Sequence, residues 1–142
     1  APIVVDGETW RSTEFYYQAQ KSFEPEYRDA IRTAKNPAHA KGLASDPRRS
    51  KRSRKRSWFR HRLELMRPDW DEVKVSIMRV ALAAKFGQNP QLKQMLLETG
   101  DALIVEDSAF DEFWGQGRIG AGKNQLGHLL MQLRNELRAA EE

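Results

Sequence analysis

The chain has 142 residues, enough for one domain with a real core, and it contains no cysteine, which excludes disulfides, thiol catalysis and cysteine-ligated zinc. The net charge of +4 is local, since nine Lys or Arg and no acid lie between Arg48 and Arg62, while the rest of the chain is acidic. No apolar run is long enough to span a bilayer and no signal peptide opens the chain, so we expect a cytoplasmic protein without membrane contact.

The first third of the chain predicts a hairpin followed by short helices. Asp6-Gly7 separates two apolar runs, and this dipeptide is typical of a two-residue hairpin turn. Ser12 or Thr13 can cap a helix that follows. A second helix is predicted from Pro25 to about residue 35 and a third, short one over residues 38–43, with a break at Asn36-Pro37 between them.

The middle and end of the chain predict a loop, three helices and a strand. Residues 45–57 are polar, basic and rich in serine, which favours a loop. Helices are expected from Asp69 to Gly87, over residues 90–98 and over residues 124–139, and residues 102–105 are expected to form a short buried strand. The fold class is therefore α+β, mainly helical, as a single compact domain over residues 1–142 with a basic loop insertion at about 45–62.

The helix that begins near Ser12 carries the first candidate site. At about 100° per residue, Glu14, Tyr17, Gln18 and Lys21 share one face. That pattern is also typical of a solvated face with a weak ladder of side-chain contacts. If the face lines a cleft, the carboxylate can stabilise positive charge on a sugar's anomeric carbon or activate a water. The lysine amine can instead attack that carbon and form an imine, which requires a lowered pKa.

Two further blocks combine aromatic and ionisable residues. Trp70 lies in the first turn of the long helix, where packing and base stacking are both open interpretations. Asp111-Glu112-Phe113-Trp114-Gly115 precedes a glycine-rich loop ending in Gly122-Lys123-Asn124. That loop formally fits G-x-x-x-x-G-K, but Asn124 replaces the magnesium-binding Ser or Thr and no buried strand leads in, so a triphosphatase loop is rejected. A phosphate site at the start of a helix and a plain turn remain open.

The basic segment, residues 48–62, is either a solvated loop or a contact for nucleic-acid phosphates. Arg52, Arg54, Lys55 and Arg56 are the predicted phosphate contacts, and Trp58, Phe59 and His61 can add stacking. The three histidines, at positions 39, 61 and 128, are scattered and form no metal motif, so we predict no metal and no cofactor.

Together and in this order, the blocks resemble the YbiA-like proteins of the NADAR (NAD- and ADP-ribose-associated) superfamily. The resemblance runs from Val5-Asp6-Gly7 through Thr13-Glu14 to Lys21. It resumes at residues 70–74, 78, 85–89, 96–100, 106, 111–115, 122–124, 126–127 and 130–134. Relative to the family pattern, the sequence begins after a strand and a Ser-Asn-Phe-like motif that are expected to form part of the sugar- or phosphate-binding wall, and residues 48–65 resemble an insertion.

The resemblance implies a compact, mainly helical α+β domain and an N-glycosidase acting on a phosphorylated ribose. The substrate is expected to be ADP-ribose attached to guanine, in nucleic acid or free nucleotide, or a ribosylamino-pyrimidine phosphate of riboflavin synthesis. A non-catalytic ADP-ribose or nucleic-acid binding module is the alternative. The implied catalytic residues are Glu14, Trp70 and Asp111, with Lys21 as a candidate for a covalent imine. The expected substrate-binding residues are Tyr17, Gln18, Trp114, Gly115, Gly122, Lys123 and Asn124.

Overall fold

The computed structural model describes residues 1–105, 114 and 123–141. Within them are two strands, β1 (Ile3–Val5) and β2 (Glu8–Trp10), and helices α1 (Thr13–Ala19), α2 (Pro25–Arg32), α3 (Pro37–Leu43), α4 (Lys51–Arg56), α5 (Trp70–Gln88), α6 (Pro90–Glu98) and α7 (Gln125–Ala140), with a short 3-10 helix at Leu63–Leu65. The mainly helical α+β class predicted from the sequence is confirmed. The contacts divide the chain into two compact units, Ala1–Lys85 and Phe86–Glu142.

The hairpin opens the first unit and has the predicted turn. β1 and β2 pair antiparallel with Ile3 opposite Trp10. The turn residues Asp6 and Gly7 have φ values of 52° and 79°, the left-handed conformation that a two-residue hairpin turn requires. Ile3 and Trp10 are almost completely buried, so the hairpin directs one face into the core of this unit.

The core of the first unit is built from aromatic side chains of α1, α2 and the segment after α4. Tyr27 and Phe59 are fully buried, with ring centroids 4.7 Å apart. The hydroxyl of Tyr27 donates to the backbone oxygen of Gln18 at 2.6 Å, and burial raises the pKa of this phenol. These contacts fix α1 against α2, which positions the side chains of the candidate site.

Two local predictions are wrong. Residues 45–57 were expected to be a loop, but Lys51–Arg56 form α4, because the Ser50 side chain accepts a hydrogen bond from the Ser53 backbone and so caps the first turn. Residues 102–105 were expected to be a buried strand, but they are irregular and only half-buried or exposed. The backbone oxygens of Ala102 and Ile104 instead accept hydrogen bonds from side chains, those of Arg134 and Asn124.

In the second unit, α6 packs against α7. Leu96 of α6 and Leu129 and Leu133 of α7 are buried. Arg134 is also buried, and its guanidinium donates to the hydroxyl of Thr99 at 2.9 Å. Among the described residues, none of the helices has the length and apolar composition of a membrane span.

Candidate active site

Glu14 lies in the first turn of α1, where a capped helix holds it in place. The Ser12 side chain accepts a hydrogen bond from the backbone of Phe15 at 3.4 Å. Glu14 is half-buried, and its Oε1 accepts a hydrogen bond from Nε2 of Gln18 at 2.9 Å. Gln18 is 3% exposed, and its own Oε1 has no hydrogen-bond partner among the described residues. The amide of Gln18 therefore orients Glu14 through Oε1, and the second carboxylate oxygen, Oε2, can interact with a substrate or a water.

The sequence predicted Lys21 on the same helix face as Glu14, and this prediction is wrong. Helix α1 ends at Ala19, before Lys21. It lies in the closing turn, where its backbone nitrogen donates to the oxygen of Gln18 at 3.3 Å. Its backbone oxygen accepts a hydrogen bond from the nitrogen of Arg67 at 2.8 Å, and its Nζ lies 3.5 Å from the backbone oxygen of Ala44. The lysine is thus held by segments distant in sequence, and within the described part of the chain its ammonium has one long hydrogen bond, to a neutral acceptor.

This environment lowers the pKa of Lys21 to about 8. Burial is the largest cause, because it penalises the charged ammonium more than the neutral amine. The positive charges of Arg49, Lys41 and Lys74 act in the same direction, while the carboxylate of Glu14 opposes them. About a tenth of such lysines are neutral at pH 7, far more than for a lysine in water. Lys21 therefore meets the condition for an amine nucleophile.

Trp70, the first residue of α5, lies beside Tyr17 of α1 and beside Lys21 in the turn that follows α1. Its ring meets Tyr17 edge-on at 4.9 Å between centroids, and Nζ of Lys21 lies 5.5 Å from its ring centroid. The structure therefore brings together Glu14, Tyr17, Gln18, Lys21 and Trp70, all of which the sequence singled out. A carboxylate, an amine of lowered pKa and an aromatic wall make a site suited to a sugar joined to a planar base.

Sequence reasoning missed the positive charges around Lys21. The position of Lys74 near the site could have been predicted, because Lys74 follows Trp70 by four residues on one helix and so shares its face. Lys41 at the end of α3 and Arg49 after it had none, since only the folded chain brings residues 41 and 49 near residue 21. Together these cations give the site a positive potential that favours an anionic substrate.

The remaining predicted site residues belong to the second unit. Asp111, Gly115 and Gly122 lie outside the described residues. Trp114 is half-buried and its backbone oxygen accepts a hydrogen bond from Leu126 at 3.0 Å, and Lys123 is exposed. Their roles in catalysis or substrate binding stay predictions.

Asn124 has a structural role that the sequence did not predict. It adopts a left-handed conformation, with φ 49° and ψ 42°, immediately before α7. Its side-chain nitrogen donates to the backbone oxygen of Ile104 at 3.0 Å, and its side chain lies so close to Gly127 that a Cβ there would collide with it. Asn124 thus joins the start of α7 to residue 104, and its expected contact with substrate stays a prediction.

The basic segment is folded rather than loose. Arg52, Arg54 and Lys55 are exposed on α4, as nucleic-acid contacts would have to be. Arg56 also serves the fold, because one guanidinium nitrogen donates to the backbone oxygen of Ala38 at 3.2 Å and the group covers Gly42 of α3. Phe59, expected to add stacking, is fully buried, so that expectation is wrong.

Comparison with known proteins gives consistent matches over nearly the whole chain. The model of the NADAR domain matches residues 1–138. The chain is 43% identical over 136 residues to N-glycosidase YbiA of Escherichia coli, covering 96% of this chain and 76% of that protein. It is 38% identical over 135 residues to riboflavin biosynthesis protein VVA0006 of Vibrio vulnificus, covering 95% of this chain and 33% of that protein. The NMR structure of E. coli YbiA matches with a TM-score of 0.80 at 40% identity, covering 99% of this chain and 75% of the other.

Proposed function

The chain belongs to the NADAR domain family, and from that premise we propose that it is an N-glycosidase that cleaves the bond between a base and a phosphorylated ribose. The identity of 43% to a protein named as an N-glycosidase supports the reaction. The observation that carries the proposal is Lys21, whose pKa is lowered to about 8 where its amine faces Trp70 and the Glu14 charge.

In the proposed mechanism Lys21 is the nucleophile. The lone pair of its neutral amine attacks the anomeric carbon, and the glycosidic carbon–nitrogen bond breaks with its electron pair passing to the base, which takes up a proton. The attacking nitrogen then loses a proton, and its electron pair forms the imine bond as the bond from the anomeric carbon to the ring oxygen breaks. The ring oxygen takes up a proton, and the opened sugar is held as an imine on the lysine. Water adds to the imine carbon and the carbon–nitrogen bond to the lysine breaks, which releases the ribose phosphate and restores the amine.

Glu14 is the proposed acid and base of this sequence. Its carboxylate is oriented by the hydrogen bond from Gln18, so it can stabilise positive charge on the anomeric carbon and exchange protons with the amine, the base and the attacking water. In the simpler alternative, Glu14 activates a water that attacks the sugar directly and Lys21 only balances charge. The two mechanisms differ in whether a covalent intermediate forms.

The substrate is proposed as ADP-ribose attached to guanine in nucleic acid. The exposed cations of α4, and the positive charges of Lys41, Arg49 and Lys74 around Lys21, support a substrate of high negative charge. A ribosylamino-pyrimidine phosphate is the second candidate, which the similarity to a protein named for riboflavin biosynthesis favours.

The test is a base-release assay with detection by mass spectrometry on both substrates. Glu14→Gln keeps the oxygen that accepts from Gln18 but cannot exchange protons, so we expect at least a hundredfold loss of turnover. Glu26→Gln, at an exposed acid in the first turn of α2, is the matched control and should keep full activity. Full activity in Glu14→Gln would remove Glu14 from the mechanism, and tight binding without base release by the wild type would leave a binding module instead.

The covalent step has its own readout. Borohydride reduces an imine to a stable secondary amine, so wild-type protein mixed with substrate and borohydride should gain the mass of the reduced sugar on Lys21. That sugar is ADP-ribose for the first substrate and ribose phosphate for the second. Lys21→Arg keeps the positive charge but cannot form the imine, and it should gain no mass. Full turnover by Lys21→Arg would favour direct attack by water.

A further inference from the structure

A surface cavity beside Trp58 lies among residues that the hydrolytic site does not use. Its volume is about 500 Å³, and its lining is formed by Ser57, Trp58, Arg60, His61 and Arg62. None of the residues around Lys21 lines it. The lining therefore combines one indole, two guanidinium groups and an imidazole on one surface of the first unit.

The indole of Trp58 is anchored from the inside. Its ring meets those of Tyr27 and Phe59 edge-on, with centroids 5.4 Å and 5.5 Å away, and both partners are fully buried. Its backbone nitrogen donates to the oxygen of Leu43 at 2.8 Å. The core therefore fixes the position and tilt of this ring at the surface.

Arg62 is laid over the ring that the core has fixed. Its guanidinium carbon is 3.8 Å from the Trp58 ring centroid, within stacking distance, and its Nε donates to the backbone oxygen of Trp58 at 3.1 Å. The residue as a whole is exposed. The guanidinium is thus held over the indole within stacking distance, while the residue stays accessible to solvent.

The charges beside Trp58 have no acidic partner among the described residues. Arg60 and His61 are exposed, and among residues 1–105 no carboxylate forms an ion pair with Arg60 or Arg62. The exposed cations of α4 precede them along the chain, and the basic segment contains no acidic residue. A surface with this charge favours a polyanion, and its stacked arginine favours one with unpaired planar bases.

We propose that this surface binds single-stranded nucleic acid, with one base stacked on the outer face of Arg62. The neighbouring phosphates contact Arg60, His61 and the exposed cations of α4. A duplex keeps its bases stacked on one another, so it offers the same phosphates but no free base face. This inference rests on the nucleic-acid substrate proposed above, but the binding is measured without turnover, so its failure and that of the hydrolytic proposal are distinguishable.

The test measures the Kd of the whole protein by fluorescence anisotropy for three labelled probes: a short DNA single strand, an abasic strand of the same length, and a duplex. The wild type should bind the single strand most tightly. Arg62→Lys keeps the charge but removes the planar group, so it should weaken single-strand binding about tenfold while leaving the abasic strand unchanged. Lys35→Ala, which removes an exposed positive charge of the same unit, is the control and should bind as the wild type does.

Salt dependence separates phosphate contacts from stacking. Arg60→Ala should lower the slope of log Kd against log salt by about 0.7, the value for one phosphate contact on a single strand, whereas Arg62→Lys should leave the slope unchanged. Circular dichroism verifies that each variant is folded. The proposal is overturned if the abasic strand binds as tightly as the single strand, if the duplex binds more tightly, or if a folded Arg62→Lys keeps wild-type affinity.

Discussion

The lowered pKa of Lys21 leads to a prediction about the stability of the fold, which can be tested without a substrate. Its amine has a pKa near 8 because burial and three nearby cations disfavour the ammonium, so the folded protein is destabilised whenever this group is charged. Lys21→Met replaces the charged side chain with an unbranched apolar one of similar length. The variant should therefore be more stable than the wild type at neutral pH.

The magnitude follows from the change in pKa. The ordinary pKa of lysine is 10.5 and the pKa of Lys21 in the fold is about 8. Each pKa unit corresponds to about 1.4 kcal/mol, so the cost of charging Lys21 in the fold is at most about 3–4 kcal/mol. Between pH 8 and pH 10.5 the unfolded chain binds more protons than the folded one. Wild-type stability must therefore rise with pH through this window, whereas the penalty is fully present below pH 8.

The assay is urea unfolding of the wild type and Lys21→Met at neutral pH and again at a pH near 10.5. The variant should have the larger free energy of unfolding at neutral pH, and this advantage should shrink as the pH rises. The lost hydrogen bond to Ala44 adds a nearly constant offset, so the pH dependence of the difference is the quantity that tests the reasoning. Lys35→Met controls for removal of an exposed lysine. An equal difference at both pH values would refute a buried amine of lowered pKa.

Two further predictions concern activity and packing. If neutral Lys21 is the nucleophile, kcat/KM should rise about tenfold per pH unit below a pH of about 8 and level off above it. Arg49→Ala removes a charge that lowers the pKa of Lys21, so it should move this rise to higher pH. A fall in kcat/KM above pH 8 would show that the ammonium is the required form. Phe59→Ala should lower the free energy of unfolding by about 3–5 kcal/mol, measured by urea titration, because Phe59 is fully buried against Tyr27, and a loss under about 1 kcal/mol would contradict its place in the core.

Local signals account for the parts of the fold that the sequence predicted well. Asp6-Gly7 specifies its own turn, and Pro25 and Asn36-Pro37 set helix starts through their backbone geometry, so these boundaries depend on few distant contacts. α4 was missed because its composition is that of a solvated loop. This helix depends on the local cap by Ser50 and on the contact of Arg56 with α3. The contact of Arg56 forms only in the folded chain.

In the candidate site, too, local sequence predicts some features and the tertiary fold determines the others. Glu14, Tyr17 and Gln18 were placed on one face because helical periodicity alone determines that. The pKa of Lys21 could not be predicted, since it depends on burial and on charges brought from residues 41, 49 and 74 by the tertiary fold. Phe59 was assigned to stacking because sequence cannot tell which of two adjacent aromatic residues faces the core. Phe59 faces the core, whereas Trp58 is half-buried beneath Arg62.

The contact between Arg56 and Gly42 has a consequence for the entropy of ligand binding. A Cβ at position 42 would lie 2.7 Å from Nε of Arg56, so glycine here leaves the guanidinium room to rest on α3 and hold the end of α4, and a side chain would force it to move. Charges presented on a docked helix are ordered before any ligand arrives. A free peptide of residues 48–62 would carry the same nine cations, but it would lose about 1–2 kcal/mol of backbone freedom for every residue that becomes fixed. Preorganisation, rather than charge alone, distinguishes this segment from a basic tail.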